Sequence, residues 1–436
     1  MNIVIWGTGN FFLKRKKYFN NQKIVAFFDN DINKQGKRIE GVKIEAPCTI
    51  GQYDFDYVVI MTMAASEVRS QLSKLCPSKL EKCIGFDEFY SMMNKPDIEF
   101  PYKIMKPENI KKKVLFLANF MDFDGGSIAC MNAAIALNRS GYLCSIMAVF
   151  CNLKLQKSIQ KNGVQLIINT ELFNEQWVND NWQGEYDLII ANTLNMLPCI
   201  NRIHDLSKVM AWIHEPESLY KYVFINQEAL NKLEKIKVIC VSKKAEVIFL
   251  KNFSCDVDIL FYPIPDVYQE RTKKRQLKSK ICFTIVGPLS TTKGQDIVIR
   301  AFEELNMEDR AKVQIIFAGS NQNSFGEGLM SKCADYSQIE FIGELNREQM
   351  QELYENSDCI ICASRTEMLP MAVSEGMMNQ KICIVSDAAG IVDIMKDGIN
   401  GLIFSNENVD ELSQKMQDVI EGKMDAGTIE KNARDT

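Results

Sequence analysis

The chain has 436 residues, a formal net charge of −5 and 46% hydrophobic residues, a composition that suits a globular protein of two or three domains. The acidic balance argues against nucleic-acid binding, because such proteins normally carry a basic surplus on the binding domain. No apolar run reaches the roughly 18 residues of a membrane span, and Met1 opens onto a strand pattern rather than a signal peptide, so we expect a cytoplasmic protein.

Most of the 14 cysteines stand singly inside apolar runs, where a reduced thiol behaves as a small hydrophobic side chain. Cys359 and Cys362 form a C-x-x-C pattern, but it lies in a strand-like run and has no second pair at metal-ligand spacing. We therefore expect reduced thiols and no metal site.

Apolar strands alternate with loops and helices in three successive units, a rhythm that predicts α/β architecture with doubly wound parallel sheets. The predicted boundaries are 1–95 for a small Rossmann-like domain, 96–111 for a linker, 112–270 for a second unit and 271–436 for a third. Two adjacent sheets of this kind leave a cleft at the carboxyl ends of their strands, where such sheets bind ligands.

The first unit begins with "NIVIWGTGN" and reaches Asp29 at the end of its second strand. Gly7, Gly9 and Asp29 resemble a nucleotide-binding turn followed by a ribose-binding acid, although Phe11 and Phe12 stand where a third glycine is expected. The unit resembles small domains attached to sugar-modifying enzymes of surface-polysaccharide pathways. It binds a nucleotide or a partner, or it only packs against the rest of the chain. An oxidoreductase or epimerase built on this unit is disfavoured because no catalytic Tyr-x3-Lys pattern appears in a suitable context.

Three lysine-rich segments, at 14–17, 111–113 and 271–280, have two interpretations. They are solvated linker or loop residues, or they contact anionic lipid, since each basic residue adds about 1 kcal/mol near such a surface. The second interpretation extends the expected location to peripheral contact with the inner face of the membrane.

The second unit carries two candidate features. In "MDFDGGSIAC" the pair Gly125 and Gly126 precedes Ser127, the expected helix N-cap, and Gly141 is expected to close that helix. A Gly-Gly turn lets the backbone approach a phosphate or sugar, or is simply a tight turn. His214 follows the strand "VMAWI" and is either a packing residue or a catalytic one.

The third unit opens with the loop "VGPLSTTKGQD", which places Lys293 and the backbone from Ser290 to Gly294 at a helix start. Such a position attracts phosphate, because free amides and the helix dipole face the anion. A solvated loop lysine is the alternative.

Further on, "SRTEMLPMAVSEGMMNQ" places Glu367 in a loop and Glu375 inside the helix that Pro370 is expected to start. Carboxylates accept hydrogen bonds from sugar hydroxyls. The amides of Met371 and Ala372 at the helix start are then expected to hold a diphosphate between the two acids.

The G-x5-KG loop, the Glu-x7-Glu pair and the downstream "SDAAGIVDIMKDGINGLIF" together resemble the donor-binding domain of the family-4 retaining glycosyltransferases, which have the GT-B fold. The resemblance covers residues 112–436. It implies a nucleotide-sugar donor, UDP- or GDP-linked, that is bound without metal and mostly by the C-terminal domain, with residues 112–270 as the acceptor domain. No further cofactor is implied.

The resemblance also implies residue roles: Glu367 contacts the donor sugar, Glu375 the ribose and Lys293 the diphosphate, while His214 faces the sugar across the cleft. Glu367, His214 and Lys293 are thus the expected catalytic residues. The expected donor-binding residues are Gly125, Gly126, Ser290, Lys293, Gly343, Leu345, Glu367, Met371, Ala372 and Glu375, with Gly343 and Leu345 near the base.

The chain departs from the family pattern at several positions. Pro288 stands where many relatives have an arginine, so one diphosphate contact is missing unless Arg365 or the hydroxyls of residues 290–292 replace it. Pro370 replaces a glycine, which stiffens the loop. At "EKNARDT" relatives continue into a helix that crosses back, so either the sequence is shortened there or domain closure is weakly tied.

The resemblance implies retaining transfer of a sugar to a glycan or lipid-linked acceptor in surface polysaccharide or capsule biosynthesis. The nucleoside diphosphate is the leaving group of an oxocarbenium-like transition state. The alternative is a non-catalytic glycosyltransferase-like partner or a glycan-binding subunit, which the departures at Pro288 and the last residues favour.

Overall fold

Three β-sheets, each built mainly from parallel strands, organise the chain in the computed structural model. The structure describes residues 1–20, 22–62, 64–86, 89, 93, 110–169, 172, 181–220, 227–266, 280–321 and 323–436. The predicted linker 96–111 and the basic segment 271–280 lie almost wholly outside the described residues.

The first sheet has the strand order β3-β4-β2-β1-β5-β6 and is parallel except at its edge strand β3. Because β1 pairs with β2 on one side and with β5 on the other, the strand order reverses beside the end of β1. The elements are β1 Asn2–Trp6, α1 Asn10–Arg15, β2 Lys23–Phe28, β3 Arg38–Ile39, β4 Val42–Glu45, β5 Tyr57–Ile60, α2 Ala65–Leu75 and β6 Cys83–Gly85.

The second sheet has the order β13-β12-β11-β10-β7-β8-β9, and its order reverses between β7 and β10. Its elements are β7 Lys113–Met121, α3 Gly125–Arg139, β8 Leu143–Cys151, α4 Leu153–Lys161, β9 Gln165–Ile168, β10 Leu188–Asn192, β11 Val209–Ile213, α5 Glu217–Tyr220, α6 Gln227–Leu233, β12 Lys237–Cys240, α7 Lys243–Asn252 and β13 Val257–Ile259.

The third sheet has the order β16-β15-β14-β17-β18-β19, which is the order of a dinucleotide-binding fold. Its elements are β14 Ile281–Val286, α8 Gln295–Glu304, α9 Met307–Ala311, β15 Val313–Ala318, α10 Ser324–Lys332, β16 Ile339–Gly343, α11 Arg347–Asn356, β17 Cys359–Cys362, α12 Met371–Met378, β18 Ile382–Ser386, β19 Leu402–Phe404, α13 Val409–Ile420 and α14 Ala426–Asp435.

The predicted α/β class is therefore confirmed, with two Rossmann-like domains facing a cleft and a smaller Rossmann-like domain before them. Each sheet lies within one of the three predicted units. No helix in the part of the chain that the structure describes has the length and apolarity needed to cross a bilayer.

The start of α3 corrects one expectation. Asp124, not Ser127, is the N-cap: its carboxylate accepts the backbone N–H of Ser127 at 2.9 Å and the Ser127 hydroxyl at 2.8 Å. Gly125 and Gly126 are consequently the first helical residues. The other end is as predicted, since α3 ends at Arg139 and Gly141 follows at a φ of +92°.

The second and third domains contact each other directly beside the cleft. The backbone N–H of Lys243, the first residue of α7, donates to the Asp393 carboxylate at 2.6 Å. Gly390 lies so close to Ser242 that a Cβ at Gly390 would be 2.5 Å from the Ser242 hydroxyl oxygen. In α14, Arg434 donates to the Asp266 carboxylate at 2.8 Å. These contacts connect the third domain to the second domain.

The close packing of α12 on the third sheet gives a test of the fold. A Cβ at Gly376 would lie 2.7 Å from Ile360 Cγ1 and 3.2 Å from Cys383 Sγ. We expect Gly376→Ala to cost about 1–3 kcal/mol by overpacking and to lower the urea midpoint of unfolding.

Gly328→Ala is the matched control, because Gly328 also lies inside a helix but has open space where a Cβ would be. We expect it to stabilise the chain by about 0.5–1 kcal/mol through helix propensity. Equal midpoints for the two variants would show that the packing of α12 is not as tight as described.

Candidate functional site

Apart from Gly7, Gly9 and Asp29 of the first domain, the predicted site residues lie at or after the carboxyl ends of strands in the second and third sheets, on both sides of the cleft. In the second sheet they follow β7 and β11, and in the third sheet they follow β14, β16 and β17. The strand order reverses between β7 and β10 and between β14 and β17, and crevices at such switch points are where doubly wound sheets bind ligands.

Lys293 and Glu367 form an ion pair that joins the loops after β14 and β17. The Lys293 side chain runs alongside Gly287, where a Cβ would be 3.6 Å from Lys293 Cε. Burial acts to lower the pKa of Lys293, but the Glu367 carboxylate outweighs it and raises that pKa. Lys293 is therefore a cation fixed in position at neutral pH.

The backbone of the two loops is locked together beside this ion pair. Gly294, at a φ of +68°, approaches Ala363 so closely that a Cβ would lie 2.0 Å from the Ala363 carbonyl oxygen. The N–H of Arg365 donates to the carbonyl of Thr292 at 2.8 Å. Ser290 caps the single 3-10 turn that ends in Lys293, accepting the Lys293 N–H at 3.3 Å. A side chain at position 294 would separate the loops.

Arg365 is one of the alternatives predicted to replace the arginine missing at Pro288, and that role stays a prediction. Its guanidinium forms two hydrogen bonds with the Asp296 carboxylate, at 2.8 and 2.9 Å, and a third with Glu407 at 2.7 Å. A guanidinium held by two carboxylates is already neutralised and has little left for a phosphate. Arg365 ties the loop after β17 to the start of α8.

Helix α12 starts at Met371, four positions after Glu367 of the ion pair. Pro370 is the N-cap residue, and its carbonyl accepts the N–H groups of Val373 and Ser374 at 3.1 and 3.2 Å. The N–H groups of Met371 and Ala372 belong to the first turn, which has no intrahelical acceptor, and they lie at the positive end of the helix dipole. This is the geometry expected of an anion-binding position.

Glu375 is buried in α12, with 6% of its surface exposed, and contacts two residues of α11. The Tyr354 hydroxyl donates to one carboxylate oxygen at 2.7 Å, and Arg347 forms an ion pair with the other. These contacts fix the carboxylate at the edge of a crevice that Ile264 and Pro265 also line. Sequence reasoning missed Tyr354 and Arg347, which lie 21 and 28 positions from Glu375 and share no local pattern with it.

Gly343 and Leu345, expected near the base, lie at the end of the third sheet's edge strand β16: Gly343 is its last residue, and Leu345 lies two positions further on. Gly343 has a φ of +73°, its carbonyl accepts the Gly319 N–H at 2.8 Å, and no atom lies within 4 Å of where a Cβ would be. Leu345 is half-buried and directly precedes the capping box that starts α11. The Gly343 position is therefore open on the side where a side chain would be.

His214 lies across the cleft beneath the glycine pair. Its Nε2 is 2.9 Å from Asn192 Oδ1, its Nδ1 is 3.1 Å from the Tyr262 hydroxyl, and its ring stacks on Tyr262. A Cβ at Gly126 would lie 3.9 Å from His214 Cγ. Burial lowers the pKa of His214 to about 3. The imidazole is therefore neutral at physiological pH, with Nε2–H donating to Asn192.

Thr193 and Glu215 complete this wall and were missed by sequence reasoning. Thr193 has a φ of +90°, a strained conformation for a β-branched residue, and its methyl group would be 3.5 Å from a Cβ at Gly126. The buried Glu215 carboxylate accepts the backbone N–H groups of Leu194 and His214 at 2.8 and 3.0 Å. Burial raises the pKa of Glu215 to about 7. Only the direct adjacency of Glu215 to His214 could have signalled its role.

In the first domain, Gly7, Gly9 and Asp29 come together at the end of β1. Asp29 accepts the N–H of Thr8 at 2.9 Å and the Lys34 ammonium at 3.2 Å. Burial opposes ionisation, but the bonds from Thr8 and Asp31 outweigh it and lower the pKa of Asp29. Both carboxylate oxygens thus have partners within the chain, and nucleotide binding by this domain stays a prediction.

The cysteines are free thiols, and Cys359 is buried in its strand. Among the described residues, no three or more His, Cys, Asp or Glu side chains are grouped so that they could hold a metal ion.

Residues 267–436 match the family model "Glycosyl transferases group 1", and residues 1–81 match the model "C2185-like, N-terminal". The fold of the second and third domains is GT-B, as in the Anabaena protein HepE in complex with UDP-glucose, with a TM-score of 0.61, 17% identity, and coverage of 74% of this chain and 94% of that one. WaaG, a glycosyltransferase involved in lipopolysaccharide biosynthesis, has a TM-score of 0.54, 16% identity, and coverage of 74% and 94%.

An uncharacterized glycosyltransferase of Methanocaldococcus jannaschii is 25% identical over 194 residues, which is 42% of this chain and 49% of the relative. The chain thus spans about half the length of the first curated relatives it matches. The similarity to solved structures shows a GT-B fold, and the match to the group 1 glycosyltransferase model is confined to the C-terminal part of the chain.

The depressed pKa of His214 predicts a pH-dependent stability. Its pKa is about 3 in the folded chain against 6.5 ordinarily, so the unfolded state binds more protons between these values and stability falls as the pH drops through them. His214→Gln removes this titration. We expect the difference between the thermal midpoints of parent and variant to narrow from about pH 7 to about pH 4.

Thermal scans of both proteins at matched ionic strength measure this difference, with His204→Gln as a control for loss of a histidine at an exposed position. Parallel curves for parent and His214→Gln would contradict the burial of a neutral imidazole.

Proposed function

We propose that the chain is a retaining glycosyltransferase that moves a sugar from a UDP- or GDP-sugar to a glycan or lipid-linked acceptor in surface polysaccharide biosynthesis. The observation that carries the proposal is the fixed Lys293 and Glu367 pair beside the start of α12. The group 1 match over residues 267–436 supports it, as do similar folds described with UDP-glucose and in lipopolysaccharide biosynthesis.

In this proposal the diphosphate lies between Lys293 and the first turn of α12. When the bond to the sugar breaks, negative charge develops on the leaving phosphate, and a fixed cation with fixed amides stabilises that charge without reorganising. The Met371 and Ala372 amides supply the helix-terminal contribution. With Arg365 held by Asp296 and Glu407, Lys293 carries the largest share of this stabilisation.

Glu367 is held for contact with the donor sugar. Its carbonyl accepts the Gly390 N–H at 3.0 Å and its own N–H donates to the Ala388 carbonyl at 3.4 Å, so its backbone is fixed on the third sheet. One carboxylate oxygen pairs with Lys293. The carboxylate has further lone pairs that can accept hydrogen bonds from sugar hydroxyls, which orients the anomeric carbon toward the acceptor.

Glu375 serves the ribose in the same way, with Tyr354 and Arg347 fixing its carboxylate. The neutral His214 forms the opposite wall of the sugar position. Because both of its ring nitrogens are hydrogen-bonded to Asn192 and Tyr262, we assign it contact with the sugar rather than proton transfer.

A non-catalytic partner or glycan-binding subunit is the second candidate. The observation that favours it is the loss of one diphosphate cation, since Pro288 replaces an arginine of many relatives and Arg365 is neutralised by carboxylates. Calorimetric titration with UDP and GDP separates the candidates, because a chain that binds neither nucleotide is not a donor-using transferase.

The proposal predicts the effect of removing the Lys293 charge. We expect Lys293→Ala to lower the rate at which the nucleotide sugar is cleaved to free UDP or GDP by about 10²–10³-fold. The reason is that the variant loses one fixed group that stabilises the negative charge developing on the leaving phosphate. The rate is measured by coupled nucleotide assay over a panel of nucleotide sugars.

Lys312→Ala is the control, since Lys312 is an exposed lysine of the same domain that pairs with Glu308 at 2.7 Å. It should behave as the parent. A Lys293→Ala protein that folds normally and releases nucleotide at the parental rate would exclude the proposed role of Lys293 at the diphosphate. A separate measurement tests the stereochemistry: a product whose anomeric configuration is inverted, as determined by NMR, would exclude the retaining mechanism.

A further inference from the structure

Arg15 belongs to the basic run 14–17, for which a solvated or lipid-facing position was expected, yet it is buried. Only 6% of its surface is exposed. Its guanidinium carbon lies 4.2 Å from the centre of the Phe11 ring and 4.9 Å from that of Phe120. It also lies within 6 Å of the ring centres of Phe86 and Phe150. Four aromatic faces around one guanidinium form a cation–π contact that is strengthened by exclusion of water.

These rings come from two different domains. Phe11 and Phe86 belong to the first domain, whereas Phe120 lies in β7 and Phe150 in β8 of the acceptor domain. Phe11 and Phe120 meet edge to face with ring centres 5.9 Å apart. Phe150 belongs to the same buried apolar cluster as core residues of β1. The first domain is therefore docked on the carboxyl ends of β7 and β8, the end at which the acceptor domain faces the cleft.

The Arg15 guanidinium also forms an ion pair with Asp122, the residue directly after β7, at 3.7 Å. Asp122 organises the loop that leads to the glycine pair. Its carboxylate accepts the N–H of Phe123 at 2.9 Å and the side-chain amide of Asn152 at 3.2 Å. Its backbone N–H donates to the Ser127 hydroxyl at 3.2 Å, and its carbonyl accepts the Asp124 N–H at 2.9 Å.

The same loop connects Asp122 to the residues that line the cleft. Asp124 caps α3. A Cβ at the second helical residue, Gly126, would lie 3.5 Å from Thr193 Cγ2 and 3.9 Å from His214 Cγ, so this residue lies close to that wall. A rotation of the Asp122 carboxylate would break its bonds to the loop and shift the glycine pair relative to that wall. Since a buried carboxylate without its partner is costly, the Arg15 cation stabilises one orientation of Asp122.

We propose that Arg15 is a positioning residue for the donor site, so that the first domain completes the site of residues 112–436 by fixing the loop 122–126. The role rests on the proposed function, since the glycine pair serves a nucleotide-sugar donor there. The proposed role of Arg15 also assigns residues 1–86 a structural role that does not require them to bind a nucleotide.

The test uses the full chain with Arg15→Ala, Arg15→Lys and the control Lys16→Ala. Lys16 is the adjacent residue, and its only described ion pair, with Glu40, is exposed on both sides. Amide hydrogen exchange over residues 121–127 reports the order of the loop, and calorimetric titration with UDP reports the donor site.

We expect Arg15→Ala to speed exchange over residues 121–127 and to weaken UDP binding by about tenfold, the size of a coupling passed through one network. Arg15→Lys should fall between Arg15→Ala and the parent, since it keeps the charge but loses the planar stack on the rings. Lys16→Ala should match the parent in both measurements. If Arg15→Ala folds poorly, Asp122→Asn takes its place, because it removes the same ion pair without changing the first domain. We expect Asp122→Asn to show the same faster exchange over residues 121–127 and the same weaker UDP binding.

The proposal is overturned if exchange over residues 121–127 is the same in Arg15→Ala and Lys16→Ala, or if exchange rises while UDP binding is unchanged. If the parent binds no UDP, the UDP-donor form of the proposed function fails, and the exchange comparison alone still decides whether Arg15 orders the loop.

Discussion

The site depends on close contact between the loop after β14 and the loop after β17. Lys293 and Glu367 form an ion pair where these two loops meet. The backbone contact at Gly294 makes the meeting possible, because a side chain there would collide with the carbonyl of Ala363. The ion pair then keeps a cation and an acid side by side in a cleft between two domains. Every proposed role of the donor domain, from the diphosphate to the ribose, is arranged around this fixed pair and the adjacent start of α12.

The facing wall works by different chemistry. There the polar groups are buried and paired with one another: a neutral His214 between Asn192 and Tyr262, and Glu215 under backbone amides. Such a hydrogen-bond network keeps the side chains of this wall in fixed positions, but it does not place a net charge at the cleft. The division suits a reaction in which one domain stabilises the leaving diphosphate while the other shapes the sugar position. Arg15 extends this division, since it connects the first domain to the same wall through Asp122.

The sequence carried enough information for the fold class and for the elements around Lys293, Glu367 and Glu375, because strand-loop-helix alternation and helix-start signals are local. It could not show that Arg365 is bound by Asp296 and Glu407, or that Tyr354 and Arg347 hold Glu375, since these partners meet only when the sheet forms. The sequence analysis predicted Ser127 as the N-cap in place of Asp124, because aspartate and serine are both common N-cap residues and these two lie three positions apart. Arg15 was missed because a basic run is normally solvated, and only tertiary packing reveals the aromatic rings around it.

A crystal structure of the full chain with UDP measures the central claim most directly. We expect the diphosphate within hydrogen-bonding distance of Lys293 Nζ and of the Met371 and Ala372 amides, with the ribose hydroxyls on Glu375. UDP bound with its diphosphate away from Lys293, or bound in the first domain alone, would contradict it.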